Sequence, residues 1–590
     1  MKSENIAQTN KLSGPYNNRR NSLIQLLMGL LIVLLLNVIG SYIFTRFDLT
    51  SEKRFTLSLS TKKLLRETDD IIFYRVYLEG DFPAGFKMLS RSTREMLDEF
   101  RAMNDNIQYE FIDPYSSTDA KTRKDVFDRL QQQGLQPTDL NVRTRKGQEQ
   151  QRIFPGIIVS YKGREIPLNL LEEQMGVDPG VMINNSIQAL EYNLSNAIRK
   201  LSTSNKPKVA FIEGHGELSA LETGDISRAL RDYYVVERVR IDGKINALTD
   251  RKEGEDGEYR TMNKFKAIII AKPDSLFSEK DKFIIDQYIM KGGKVLWLID
   301  PVLASMDSIQ TSDHTLGITQ DINLNDQLFK YGVRLNSNLL LDLNALPIPI
   351  FTGRIGNQPQ FSFFPWYYFP VLTSTSDHPV VKNLNAIRTE FISSIDTVEN
   401  PSIRKTVLLS TSKYTHIAIT PVMISLEMVR DEPDPKDYAQ PPQPVAVLLE
   451  GEFESLFKNR VPKEIQQAPE ISFEGRSPEN RMIVMSDGDL IRNQVQFTNG
   501  SFVALPLGFD RYTNQTFGNR ELMLNAINYL CDDTGLMSVR ARELKLRSLD
   551  MKRAQGNLLF WQLLNTLAPV LLVVIIGVIL AVMRRRRYAK

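Results

Sequence analysis

Two nearly unbroken apolar runs, Leu23 to Phe44 and Leu558 to Met583, stand at the ends of this chain, and between them apolar and polar positions alternate as in water-soluble proteins. At 1.5 Å per residue each run, as a helix, is long enough to cross ~30 Å of hydrocarbon. The first predicts a membrane-spanning helix over about 22–45 behind a polar tail, 1–21. A cleavable signal peptide is the rival reading. Against it, the leader is long, the run exceeds a usual signal core and no small-x-small site precedes Arg46. The second predicts a spanning helix over 558–583, interrupted only by Asn565, Thr566 and Pro569, where a proline bends a membrane helix rather than breaking it. A basic tail, 584–590, follows.

The interior predicts two α/β segments. In 46–204 a strand at Ile71 (IIFYRVYLEG) leads to a helix over about 86–104, with Met88, Leu89, Met96, Leu97 and Phe100 near helical spacing. A strand from Ile107 follows, then a helix near 125–133, strands from Phe154 and Arg164, and a helix over about 184–202. The order β-α-β-α-β-β-α resembles the thioredoxin fold in pattern, without cysteines for redox work. From Lys206 the runs KVAFIEG, VVERVRI, FKAIIIA and KVLWLIDP alternate with helices near 221–231 and 279–290. Continuous Val/Ile/Leu runs of this kind mark a parallel sheet covered on both faces, a doubly wound α/β domain. After Asn338 the rhythm becomes irregular, through an insertion at about 345–400 that contains FSFFPWYYFP. It returns at Lys405, Pro444 and Arg481 and ends in a helix from Asn519. We read 205–535 as one discontinuous domain, with a separate domain beginning near Asn400 as the alternative. A polar, proline-rich loop lies at 431–443, and a juxtamembrane linker at 536–557.

Charge and cysteine content mainly exclude. With 73 basic and 70 acidic residues the net charge is +3, so nothing resembles the basic footprint of a nucleic-acid binder. The single Cys531 rules out an internal disulfide, a CxxC pair and a thiolate zinc cluster, and its place near a helix end suits packing better than nucleophilic attack. Four histidines and no HExxH give no metal signature. Gly293-Lys294 lacks the upstream glycine and following hydroxyl of a phosphate-binding loop, and neither GxGxxG nor GxSxG occurs where it would function. The sequence implies no cofactor.

Candidate chemistry lies in loops after strands, where open α/β sheets place ligands. Glu213, His215 and Glu217 alternate with glycines and could hold a metal or an activated water. Three such residues within five positions converge poorly on one ion, and a glycine turn with capping charges is the plainer reading. Asp487 and Asp489, and Asp300 before Pro301, carry the same ambiguity between a ligand loop and a capped turn. Trp366 and its aromatic neighbours either face a sugar, peptide or membrane partner, or pack beneath the insertion.

Basic residues near the chain ends, Lys11, Arg19, Arg20 and Arg584 to Arg587, favour both termini in the cytosol, although Lys53, Arg54, Lys552 and Arg553 flank the other sides. In a bacterium with an outer membrane the bulk would then face the periplasm from the inner membrane.

After the first span comes Arg46-Phe-Asp48-Leu49-Thr50-Ser-Glu-Lys53-Arg54-Phe-Thr-Leu-Ser58, which resembles the R-x-D-L-T-x-x-K-R-[YF]-T-L-S signature of ABC-transporter auxiliary proteins. KVAFIEGHGEL at Lys208, FKYGVRLNSNLLLD at Phe329, Asp377-His-Pro-Val380 and GNRELMLNAINYL at Gly518 extend the likeness over nearly the whole chain. It is strongest toward the gliding-motility-associated, substrate-binding branch. The resemblance implies a non-catalytic subunit beside a polytopic permease and a separate cytosolic ATPase. It further implies a class I amidotransferase-like α/β domain without the amidotransferase cysteine near Ala271 to Asp274, and names no ligand. The alternatives are a membrane-tethered hydrolase or carbohydrate enzyme, whose acids must converge on one cleft, and a purely structural scaffold.

Overall fold

The computed structural model describes residues 15–42, 56–542 and 556–588, apart from breaks at 117–118, 145–146, 204, 254–258, 313, 375, 431, 469–470 and 499. It divides into two units, Met1–Thr56 and Leu57–Lys590. The first contains the helix Pro15–Tyr42, with exposed apolar side chains from Leu23 to Leu35. The signature residues Arg46, Asp48, Leu49, Thr50, Lys53 and Arg54 lie outside the described residues.

In the second unit, the strands Ile72–Val76, Ile107–Phe111, Gly156–Tyr161 and Arg164–Asn169 form a four-stranded sheet. Ile72–Val76 lies inside, parallel to Ile107–Phe111 and antiparallel to Gly156–Tyr161. Its alternate residues Ile72, Tyr74 and Val76 are fully buried, because one pleat face meets the helices Ala84–Met103 and Pro179–Ser202. The first helix contributes Phe86, Leu89, Leu97 and Phe100 to this core, while Met88 faces solvent. The second starts earlier than its apolar pattern suggests, since Asp178 caps it and Pro179 occupies its first turn. A hairpin, Thr138–Thr144 and Gly147–Ile153, goes unpredicted because its apolar positions are few, with Leu140 and Val142 in the first strand and only Ile153 in the second.

The larger sheet has seven strands in the spatial order Ile403–Ser410, Pro444–Glu454, Arg476–Met485, Lys294–Leu298, Ala267–Ala271, Lys208–Glu213 and Val235–Arg240. The last five run parallel; Pro444–Glu454 runs against them, and Ile403–Ser410, antiparallel to it, points the same way as the five. The four runs expected in a parallel sheet, those of Lys208, Val235, Ala267 and Lys294, are parallel to one another, and the later run from Pro444 adds an antiparallel strand. Continuous burial reports cover on both faces, which antiparallel strands inside a sheet receive equally. In Ala267–Ala271, Ala267, Ile269 and Ala271 meet the core beneath the helices Gly224–Leu230 and Asn519–Leu530. Ile268 and Ile270 meet the opposite core under Glu279–Met290.

The expected irregular insertion is instead an antiparallel hairpin, Ala345–Ile355 and Gln358–Leu372, turning at Gly356 with φ 64°. Its prolines disguise it in the sequence. A hairpin has outer edges whose N–H groups need no partner, and there proline costs no ladder bond. The chain ends in the helix Leu558–Tyr588, which continues through Pro569 and whose 29 residues Leu558–Arg586 are long and apolar enough to cross a membrane.

Candidate functional site

Register brings three loops together at the carboxyl ends of the parallel strands. Ala271 pairs with Leu298 and Leu298 with Met485, so Lys272, Asp300 and the turn Asp487-Gly-Asp489 emerge side by side. Lys272 Nζ lies 3.0 Å from Asp300 Oδ2 and also bonds the Asp489 carboxylate. The Gly488 N–H donates to Asp300 Oδ1, and the Asp489 N–H to Asp487 Oδ1 at 2.7 Å. Gly488 is required by this closure, since a Cβ there would lie 2.5 Å from that of Lys272.

The charges are unequal. Burial opposes charge on Lys272, but Asp489 and Asp300 outweigh it and hold the ammonium above its ordinary range. Burial would raise Asp489 too, yet Lys272 and Arg492 draw it below the usual carboxylate range. Asp487 goes the other way. Burial, then the carboxylates of Asp489 and Asp300, push it well up, although Oδ2 accepts the Glu390 N–H at 3.1 Å. Burial also raises Asp300 and Glu390. Glu390 pairs with Arg388, and Arg492 spans Asp489 at 3.4 Å and Glu222 at 3.2 Å.

This floor opens into a cleft of about 1280 Å³ lined on its other wall by Phe351, Phe361 and Phe363 of the aromatic hairpin, with Phe369 and Phe391 beneath. Phe351 and Phe361 are cross-strand partners, edge to face at 6.0 Å, and both stay half exposed. A second hairpin, Val495–Thr498 and Ser501–Ala504, contributes Val495 and carries its own exposed pair, Phe497 and Phe502, at 5.0 Å. Apolar rings on one side and ion pairs on the other suit a molecule with an apolar body and a polar end.

The glycine-rich loop forms a separate buried cluster. His215 stacks on Phe277 at 3.7 Å, with Nδ1 3.2 Å from Glu217 Oε1 and Nε2 3.3 Å from Asp281 Oδ2. Asp281 also accepts the Ser278 hydroxyl and the Gly243 N–H, each at 2.7 Å. Burial alone would lower the imidazole, but Glu217 and then Asp281 outweigh it and the net shift is upward. Burial would raise Asp281, and its hydrogen bonds with the His215 charge carry it below the usual range. A raised histidine stabilises fully below its unfolded value of about 6.5 and loses this as pH rises through the folded value. A depressed aspartate stabilises above about 4 and loses this as pH falls. The melting-temperature difference between the parent and His215→Gln is therefore expected to be largest near pH 5–6 and to shrink toward pH 9. A difference independent of pH would remove the charge from this account.

Among the sequence-predicted residues, Asp300, Asp487 and Asp489 come together, with Asp489 on the cleft wall. His215 and Glu217 form their own pair, outside the cleft lining. Glu213 turns away to Arg238. Trp366 is fully buried beside Tyr368 rather than lining a groove. Among the described residues no group of His, Cys, Asp and Glu is arranged to hold a metal ion. Sequence reading missed Lys272, Arg388, Glu390, Arg492 and Glu222. Only Lys272 carried a signal, as the residue that ends a fully buried strand.

The cleft falls within a recognised segment. A protein-family model described as an ABC-type uncharacterized transport system matches residues 206–526, and a domain of unknown function matches 51–160. All cleft-lining residues, from Glu222 to Tyr512, lie inside the first match. An uncharacterized protein of Borreliella burgdorferi (strain ATCC 35210 / DSM 4680 / CIP 102532 / B31) is 22% identical over 451 residues, covering 76% of this chain and 80% of that one. Among solved structures, the mmIFT52 N-terminal domain is 11% identical with a TM-score of 0.30, covering 55% of this chain and 98% of that one.

Proposed function

The chain belongs to the ABC-type uncharacterized transport system family, and from this premise we propose that it is a membrane-anchored, non-catalytic accessory subunit of the substrate-binding type, working beside a polytopic permease and a cytosolic ATPase. The observation that carries the reading is the amphipathic cleft, built wholly from the family segment at the carboxyl ends of the sheet strands, where α/β domains take ligands. Association with gliding motility is part of the proposal and rests on the Arg46 to Ser58 signature and the later matching segments. A two-pass arrangement, with both termini cytosolic and 46–557 in the periplasm, is supported by the apolar helices and the terminal arginines. We divide that region into a thioredoxin-like part, 46–204, and an amidotransferase-like part, 205–535. In support of the former, the strands stand in the spatial order second, first, third, fourth, ignoring the polar hairpin.

The hydrolase alternative required Glu213, His215, Glu217 or Asp487 to converge. Glu213 sits on Arg238, His215 on Glu217 and Asp281, and Asp487 on the turn before Asp489. No observation favours it. Purification of the tagged chain from its native membrane in mild detergent is expected to bring down a permease and an ATPase in stoichiometric amounts. Recovery of the chain alone would overturn the subunit reading.

A further inference from the structure

The two ends of the soluble body are pinned to one side chain. The Ser58 N–H donates to Glu191 Oε1 at 2.7 Å, and Arg542 Nη1 lies 3.1 Å from Glu191 Oε2. A second tie repeats the arrangement, as the Ser60 hydroxyl donates to the Thr534 carbonyl at 2.7 Å. Glu191 is buried on the helix Pro179–Ser202, so this junction is part of the folded core. By chain length, 14 residues separate Leu57 from the apolar helix ending at Tyr42, and 15 separate Arg542 from the one starting at Leu558. Both membrane tethers thus root at one spot. A body held by adjacent tethers presents that spot to the surface in which they are anchored.

The surface at that spot is a short helix, Leu59–Arg66, capped by the Ser58 hydroxyl accepting from Thr61 N–H. Thr61 and Leu65 bury one face. The opposite stripe, at i, i+3, i+4 and i+7, is Leu59, Lys62, Lys63 and Arg66. Leu59, on the first turn, is 85% exposed. No acidic partner stands within salt-bridge reach of Lys62 or Arg66 among the described residues. Among the described residues Lys63 has Glu67 as its one ion-pair partner, at 4.0 Å with both side chains mostly in water. One apolar residue within three cations fits an anionic bilayer surface: the cations meet headgroup phosphates and the leucine enters the acyl boundary.

We infer that the Leu59, Lys62, Lys63, Arg66 face docks onto anionic lipid headgroups, fixing the body's orientation on the membrane. The inference rests on reading the terminal apolar helices as membrane anchors, and the test separates the two. The full-length chain, in a Cys531→Ala background with a fluorophore at Glu67→Cys, is reconstituted into vesicles of phosphatidylcholine alone or mixed with phosphatidylglycerol, each containing a headgroup-spin-labelled quencher. Quenching is expected to be roughly twofold or more stronger on the anionic vesicles. It should fall to the neutral level with Lys62→Glu/Arg66→Glu and at high salt. Equal quenching on both vesicles, indifference to the double substitution, or quenching only after a permease is added overturns the lipid assignment. Loss of the chain from vesicles on alkaline washing overturns the anchor reading, and this proposal with it.

Discussion

Replacing Lys272 with methionine is expected to destabilise the protein by about 3 kcal/mol at neutral pH, the lower end of the cost of removing one partner from a buried ion pair. The lower end applies because the Lys272 side chain keeps 23% exposure, against 12% for Asp300 and 7% for Asp489. Methionine keeps an unbranched stem as long as the lysine's up to Cε and lacks only the ammonium. It also keeps the left-handed backbone at φ 53°, so the strain at residue 272 is the same in both proteins. What changes is the charge. Asp300, Asp489 and Asp487 are left facing one another with only Arg492 for relief. Their protonation becomes more favourable in the folded state, and a carboxylate raised above its unfolded value stabilises below that value and loses this as pH rises. The deficit should therefore be small near pH 4 and full by pH 7. Lys272→Met/Asp300→Asn/Asp489→Asn should recover part of it, and thermal melts of the three proteins across that range decide the matter. A deficit unchanged by acid, with no recovery in the triple variant, would mean that Lys272 acts through its stem rather than its charge.

The same cluster marks how far the sequence could be read. Asp300, Asp487 and Asp489 stood out because each follows a run of buried strand residues, and strand ends are where the chain exposes loops. Their common counter-ion did not, although Lys272 follows Ala267–Ala271 directly. Pairing Lys272 with Asp489 closes a gap of 217 residues, which periodicity cannot report. Arg388 and Glu390 were hidden for a further reason: they follow the aromatic hairpin, whose prolines had made the region look irregular. Burial was legible and direction was not. The runs at Pro444 and Arg481 were recognisable as covered strands, while the antiparallel pairing between them is not written in the burial pattern of either run. The hairpin Thr138–Ile153 gave little to read, because apolar residues are few in its strands, Leu140 and Val142 in the first and Ile153 at the end of the second.

Trp366→Ala is expected to cost about 3–5 kcal/mol, the range for removing a large aromatic from a core, and to loosen the wall of the cleft. The ring is fully buried among Leu339, Leu346, Ile348, Tyr368 and Ile424, at the base of the hairpin that bears Phe351, Phe361 and Phe363. Its indole Nε1 has no hydrogen-bond partner, so the side chain contributes through volume alone. This separates two substitutions. Trp366→Phe gives up part of the volume and no hydrogen bond, and should cost less than half as much as alanine. The outer half of the hairpin stands clear of the body, with Ile355 at 71% exposure, so its order depends on the packing at its base. Hydrogen exchange in 345–372 should accelerate strongly in Trp366→Ala and little in Trp366→Phe, while the strands of the seven-stranded sheet keep their protection. If alanine and phenylalanine melt alike, Trp366 is not the anchor of this wall. If exchange rises equally in the sheet, the hairpin and the sheet unfold as one unit, and the cleft wall has no stability of its own for a ligand to draw on.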